Sequence, residues 1–340
     1  MRKKIFLSLL TVLMLAVVWQ HELLWYGIKQ GQGQLAIVRN AVDLKRVMGD
    51  ERFPDSLKSK IQIIQRARTY AVEELGLKDT ENYTTYYEQN GETALWNVSA
   101  CKPYSFTPKT WWFPVVGEVP YKGFFDREKA ESVADELKED GWEVRVRPVG
   151  GWSTLGWFRD PILSSMLNRS EGQLAELIIH ELTHGAVFVK DEVTFNENLA
   201  SFIGEQGARL FLEENFGAES NELAAYLNGE QDAKKFTNHI LLGTKKLDSL
   251  YESFDQKMDA KNKRIKKEEL ILNICDRLDT LSFSNDRYTQ VFSETKPNNA
   301  YFMSYLRYYS AGDSLTTIWE EQYDGDLKLF IEGFMAEYGS

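Results

Sequence analysis

The chain has 340 residues, with 43% hydrophobic and 27% charged side chains, and 40 basic against 51 acidic residues give it a net charge of −11. That composition excludes a disordered chain, and so acidic a balance excludes a general nucleic-acid binder, which needs a broad basic surface. Two cysteines build neither a disulfide scaffold nor a multi-cysteine zinc site, and the 4 histidines, at 21, 180, 184 and 239, are scarce enough for their spacing to matter.

The chain opens Met1-Arg2-Lys3-Lys4 and then runs apolar from Ile5 to Trp19, interrupted only by Ser8 and Thr11. A basic start before about 15 apolar residues reads as a secretory n-region and h-region, and it falls short of the roughly 20 residues of a full membrane span. Gln20-His21-Glu22 follows, with no small-x-small cleavage site and no cysteine for lipid attachment. Residues 1–25 are therefore expected to be an N-terminal membrane anchor, with a cleaved signal peptide as the alternative. Leu23, Leu24, Trp25 and Tyr26 extend it into the interface, where aromatic residues are favoured. Residues 26–340 then lie outside the cytoplasm, where Cys101 and Cys275 are free to pair, although their separation says nothing for or against it.

From Tyr26 to about Leu77 the pattern is helical, with Ile61, Ile63, Ile64, Ala67, Tyr70, Ala71 and Leu75 near a 3.6 period. Residues 80–125 turn aromatic and β-branched, punctuated by Gly117 and Pro120, and read as short strands. A helix is expected from about Asp126 to Lys138, stopped by Gly141, followed by an alternating strand from Trp142 to Val149. Helices dominate from Glu171 onward. No internal repeat or linker-like stretch divides the chain, so one α+β domain over 26–340 is the expectation. The basic block Lys261–Lys267 reads as a solvated helix face or loop, not a nucleic-acid site.

Residues 180–184 read His180-Glu181-Leu182-Thr183-His184. The apolar positions Leu174, Ala175, Leu177, Ile178 and Ile179 precede this motif, and Ser170 with Gln173 suits a capping box at the start of the helix. On a helix, i and i+4 share a face, so both imidazoles reach one ion, while Glu181, about 100° round, sits beside the metal as a general base. The competing possibility is two surface histidines with an incidental glutamate between them. A catalytic zinc needs a third protein ligand and an open position. Glu197, in Phe195-Asn196-Glu197-Asn198, opens the next helix after a return loop. Thr194-x-x-Glu197 also fits a capping box, which would give Glu197 a purely local role. The ligand role is favoured because no other His or Cys lies within comparable reach.

The sequence closely resembles the bacterial putative-aminopeptidase family, membrane-associated or lipoprotein-like zincins whose signature is an HELxH helix followed by FNE-x-x-A. The resemblance spans nearly the whole chain. It includes Tyr26-Gly27-Ile28-Lys29-Gln30, Trp96-Asn97-Val98, Phe113-Pro114, Tyr121-Lys122-Gly123-Phe124-Phe125, Ser153-Thr154-Leu155-Gly156-Trp157-Phe158, Asp160-Pro161 and Asn298-Asn299-Ala300. It implies a mostly helical, zincin-like α+β fold with a small antiparallel sheet beside the HExxH helix. It also implies a gluzincin-like metallopeptidase with one zinc per chain on His180, His184 and Glu197, and Glu181 as catalyst. The implied substrate is a peptide or protein, the location the bacterial inner membrane facing the periplasm, or the exterior after signal cleavage. Family members often carry a lipid-attachment cysteine near the N-terminus, absent here, and a cysteine pair around the Phe-Pro segment, where this sequence has Trp112 and Glu118 and so lacks that disulfide.

An oxyanion donor is sought among Tyr301, Tyr305 and Tyr309, which recur every four residues on a predicted helix, although such a stripe is more often core packing. His239 is a weaker candidate. Trp152, Ser153, Thr154, Leu155 and Gly156, in a glycine- and aromatic-rich loop, are candidates for a substrate pocket. Phe113–Tyr121 offers an edge strand for an extended peptide, and Glu118 a carboxylate for a free α-amine. Two alternatives to an aminopeptidase stand: a zinc endopeptidase acting on envelope or misfolded proteins, and a catalytically silent zinc-containing envelope module. Glu181 argues against the silent version, because a structural site needs no base beside its metal.

Overall fold

The computed structural model describes residues 21–114, 116–150, 159–309 and 311–339. They form a mostly helical α+β chain with three small sheets. Helix α1 (His21–Asn40) runs without a break across the expected anchor boundary at residue 25. Two-residue β1 (Val42–Asp43) leads into the short α2 (Leu44–Gly49), capped by the Asp43 side chain, and then α3 (Asp55–Glu73). Helix α3 turns Ile61, Ile63, Ile64, Ala67, Tyr70 and Ala71 inward, as its period requires.

The short strands expected over 80–125 are present: β2 (Thr85–Tyr87), β3 (Trp96–Cys101), β4 (Trp111–Phe113), β5 (Gly117–Val119) and β6 (Lys122–Phe124). Helix α4 (Arg127–Glu139) is capped by Asp126, and the chain leaves it through Gly141 at φ +81°, a conformation that costs glycine nothing. It returns as β7 (Glu143–Pro148) beside β3, giving the antiparallel order β6-β3-β7. One face of this sheet buries Val98, Ala100 and Val144 against Ala130, Ala134 and Leu137 of α4.

The strand region leading to the motif is not antiparallel. β8 (Ile162–Leu163) pairs parallel with β2, which pairs antiparallel with β1, so this three-stranded sheet is mixed. From β8 a 3₁₀ turn (Ser164–Asn168) delivers the chain to α5 (Glu171–Ala186), the motif helix. The expected sheet beside this helix is thus corrected: α5 packs chiefly on α3 and on α6 (Val193–Phe216), and the antiparallel sheet only lines the same cleft. Helical neighbours on more than one side follow from α5 burying Leu174, Ile178, Ile179 and Leu182. Each such aliphatic side chain contributes about 1.5–3 kcal/mol on burial.

Helices α7 (Asn221–Glu252), α8 (Ala260–Asp276) and α9 (Asn299–Tyr309) enclose a second core of Phe236, Ile240, Leu247, Tyr251, Ile271, Ile274 and Phe302. Helices α10 (Gly312–Tyr323) and α11 (Leu327–Tyr338) close the main core through Leu315, Phe330, Ile331 and Phe334. In α8 most of the basic block is exposed, but Lys267 is buried, its Nζ donating to the Pro103 carbonyl and to Glu143 Oε1. Cys101 lies buried in β3 and Cys275 half-buried in α8; both thiols are free. Burial pushes the Cys101 thiol up to about 12 and the Cys275 thiol to about 11. Among the described residues no helix is long and apolar enough to cross a membrane, and the basic and apolar segment 1–20 lies outside them.

Helix α6 approaches α5 through small residues, Ala200, Gly204, Gly207 and Ala208, all buried. A Cβ at Gly204 would stand 3.0 Å from the Glu176 carbonyl oxygen and 3.2 Å from His180 Cβ. A branched side chain there must push the two helices apart at the level of His180. Gly204→Val is expected to lower stability by about 1–3 kcal/mol, read by denaturant unfolding, and to weaken metal retention. An unchanged midpoint would refute the close-packing role.

Candidate metal centre and its cleft

The start of α5 is built as the sequence suggests. Ser170 Oγ accepts from the Gln173 N–H at 3.4 Å, and Gln173 Oε1 accepts from the Ser170 N–H at 3.2 Å, so the capping box is closed. Two turns further on, the Nε2 atoms of His180 and His184 lie 3.2 Å apart. Glu197 Oε2 stands 3.6 Å from each of them, and one donor atom from each of the three residues falls within 4.8 Å of the others. Ligands about 2.0–2.1 Å from a tetrahedral zinc stand roughly 3.3 Å apart. The N, N and O donors therefore match such an ion in both chemistry and spacing.

The local alternative for Glu197 is not what the backbone adopts. Helix α6 begins at Val193 with Glu192 at its cap and no side-chain capping bond, so Thr194 is already inside the helix. The Glu197 carboxylate is spent on the imidazoles. Its neighbours fix it there. Phe195 packs on Phe334 and Tyr338, with ring centroids 6.1 and 5.4 Å away. Asn196 Oδ1 accepts from the Val189 N–H at 2.9 Å while its Nδ2 donates to the Val189 carbonyl at 2.8 Å, tying down the return loop. Asn198 Nδ2 donates to the Arg307 carbonyl at 2.6 Å, and its Oδ1 accepts from the Ala311 N–H at 2.8 Å, docking the end of α9.

Electrostatics follow from burial and mutual charge. Burial opposes ionisation of Glu197, but the two histidines outweigh it and hold its carboxyl well below the usual range. Burial likewise opposes a charge on His180, and Glu197, Glu181 and Glu176 overcome it, so its pKa is raised. Glu181, 8% exposed, is raised by burial, with His180 and His184 pulling the other way. An anionic, water-poor pocket around two imidazoles is suited to a divalent cation.

The cleft in front of these residues has a volume of about 2060 Å³. Its walls come from α1 (Tyr26, Gln30, Gln34), the antiparallel sheet (Asn97, Arg147) and helices α5, α6, α7 and α9. Three carboxylates line it beyond the motif: Glu176 one turn before His180, Glu205 two turns after Glu197, and Glu230 on α7. Tyr226 donates to Glu176 Oε2 at 3.1 Å. Burial raises all three, and repulsion from Glu176 adds to it, taking Glu205 to about 8 and Glu230 to about 7.

The family described as "Putative aminopeptidase" matches residues 25–336. The chain belongs to that family. No curated protein and no solved structure matches it. Membership covers the whole cleft, so the residues lining it are family territory and not a peripheral addition.

Of the tyrosines selected from sequence, Tyr301 and Tyr305 belong to the second core. Their hydroxyls face each other at 3.2 Å, their rings contact Phe292 and Phe236 respectively, and neither lines the cleft. The four-residue period was core packing. Tyr309 does line the cleft, and burial together with Glu205 and Glu176 raises its pKa. Sequence reading missed Tyr308, which lines the cleft and receives a hydrogen bond from Arg147 Nη2 at 3.1 Å. Burial raises its pKa, and the Glu197 charge adds to the rise. Tyr121, across the cleft, is raised by the same two causes. His239 is occupied at 2.7 Å from the Ile274 carbonyl oxygen. Glu118 is exposed and does not line the cleft. Trp152, Ser153, Thr154, Leu155 and Gly156 lie outside the described residues.

Proposed function

We propose that the chain is a zinc-dependent aminopeptidase of zincin type, with zinc on His180, His184 and Glu197 and Glu181 as general base. The observation that carries this reading is the pair of imidazole nitrogens 3.2 Å apart with one carboxylate oxygen 3.6 Å from both. When bound, zinc would supply a water acidified to a pKa of about 7 and a Lewis acid for the scissile carbonyl. Glu181 would accept the proton of the attacking water on its carboxylate and return it to the departing amine nitrogen. The Tyr308 hydroxyl, polarised by Arg147, is the donor aimed at the developing oxyanion, in place of Tyr301 or Tyr305.

Glu176, Glu205 and Glu230 hold the substrate's free α-ammonium. Carboxylates with raised pKa values are the groups an incoming cation can ionise. His180, Arg209, Lys234 and Arg169 face the cluster and lower its members' pKa values, which keeps part of it charged near neutrality. The enzyme is tethered to the bacterial inner membrane by residues 1–25 and faces the periplasm.

The test uses the full chain. Zinc per chain is measured, and hydrolysis of free-amine peptides is compared with that of N-acetylated ones. A chain without bound zinc sinks the metallopeptidase. Cleavage of the acetylated peptides makes it an endopeptidase. Glu205→Gln is expected to raise KM for free-amine peptides about tenfold, one pKa unit's worth of charge interaction, with zinc content unchanged. Stability gives an independent check. A carboxyl raised to about 8 holds a proton in the folded state that the unfolded chain releases near 4.5, so its contribution is lost as pH rises toward 8. Glu205→Gln should therefore melt no lower than the parent at pH 8. An unchanged KM would refute the amine subsite.

A further inference from the structure

We infer that the outer face of α1, together with Trp112 on the β4–β5 hairpin, seats the folded domain on a lipid bilayer and sets the cleft beside it. This rests on the reading of residues 1–25 as a membrane anchor, and adds to it a surface of the domain itself. At 100° per residue, Leu24, Ile28 and Leu35 fall within about a 40° sector of α1, with Trp25 flanking them. Leu24 is 46% exposed, Trp25 61%, Ile28 50% and Leu35 38%. The opposite side of the same helix carries Tyr26, Gln30 and Gln34, which line the cleft. An amphipathic helix normally buries its apolar stripe. Here the polar, cleft-lining side packs on the protein and the apolar stripe is left facing outward.

The β4–β5 hairpin carries a second exposed tryptophan. Tyr26 packs on Phe113 with ring centroids 5.6 Å apart, so β4 lies against the start of α1, and its Trp112 is 56% exposed. A cation borders the exposed aromatic residue of the helix: Lys29 Nζ is 5.1 Å from the Trp25 ring. Tryptophan and lysine side by side suit the headgroup layer, where the ring sits at the boundary and the ammonium reaches anionic phosphate. The occupant is a bilayer because of what precedes the stripe. The apolar run Ile5–Trp19 ends one residue before α1 begins, so the chain's most apolar segment joins the domain at the exposed stripe. A helix is about 10 Å across, which puts the cleft wall roughly that far from the headgroups. Substrates are then taken from the membrane surface.

The experiment uses the full chain in vesicles of phosphatidylethanolamine and phosphatidylglycerol. Single cysteines are introduced as Ile28→Cys, Trp112→Cys, Thr11→Cys and Glu219→Cys in a Cys275→Ser background and given a nitrobenzoxadiazole label. Labels at 28 and 112 are expected to lose intensity to nitroxide-bearing lipid and to resist iodide, while a label at 219 does the reverse. If the label at 11 is lipid-quenched but those at 28 and 112 respond to iodide, the anchor stands and the seating is wrong. If the label at 11 responds to iodide, the anchor reading falls and the seating with it. Labels at 28 and 112 shielded from both quenchers would mean that protein, such as a second copy, covers the face, and would overturn the proposal.

Discussion

Glu181→Gln is expected to keep its zinc and lose activity by about 10²–10⁴-fold, almost wholly in kcat. The substitution exchanges one oxygen for an amide nitrogen in a side chain that is 8% exposed, so shape and packing are preserved. The donors of the proposed metal site, His180, His184 and Glu197, are untouched, and their mutual distances are set by α5 and α6, not by Glu181. What disappears is the ability to hold a proton between attack and departure of the amine. A neutral amide at this buried position also removes a carboxyl that burial raises, so folding should not suffer. The measurements are metal content by elemental analysis and kcat on a free-amine peptide. Equal activity would remove Glu181 from the chemistry and leave a zinc module without a base. Loss of zinc as well would show that Glu181 shapes the site, and would make the kinetic loss uninterpretable as acid–base catalysis.

The candidate metal centre was legible in the sequence because most of it is local. His180, Glu181 and His184 sit on one turn, and the capping box at Ser170 and Gln173 fixes where that helix starts. Glu197 was reachable by elimination, since His and Cys are scarce, yet its competing role as a cap turned on where α6 begins. That boundary depends on Phe195, Asn196 and Asn198 gripping α11, the return loop and the end of α9, contacts that no local pattern encodes. Glu176, Glu205 and Glu230 come from three helices and become neighbours only through packing, which is why no motif announced them. The tyrosine stripe misled for a physical reason: a four-residue period marks a buried face, and it marked the second core at Tyr301 and Tyr305 while the next residue round from the stripe, Tyr308, met the cleft. The strands over 80–125 and 142–149 were readable as strands, but the two-residue β1 and β8 were not, nor was the pairing, since β2 takes a parallel partner 76 residues later and so makes a mixed sheet.

Glu197→Gln separates the two roles open to that residue more sharply than removal of the side chain does. A capping box accepts Gln as readily as Glu at its third position, so a local role predicts a nearly silent change. A ligand role predicts the opposite. The carboxylate supplies the site's one negative charge among the three donors, and an amide oxygen in its place is neutral and a weaker ligand for zinc. Outer-shell partners of metal ligands already cost about 10–100-fold in affinity when lost, so replacing a ligand itself is expected to cost more than about 100-fold. The readout need not involve catalysis. A ligand that binds only the folded chain stabilises it by RT ln(1 + [L]/Kd), about 4.1 kcal/mol at a thousandfold excess over Kd. Zinc added to the metal-stripped parent should therefore raise its melting temperature by several degrees, and the same addition should leave Glu197→Gln almost unmoved. Without metal the variant should also melt somewhat lower than the parent. The carboxylate that His180 and His184 hold well below its ordinary pKa contributes stability above its unfolded value, and the amide cannot replace it. Equal zinc-induced shifts in parent and variant would return Glu197 to a structural role and leave the two histidines without their third partner.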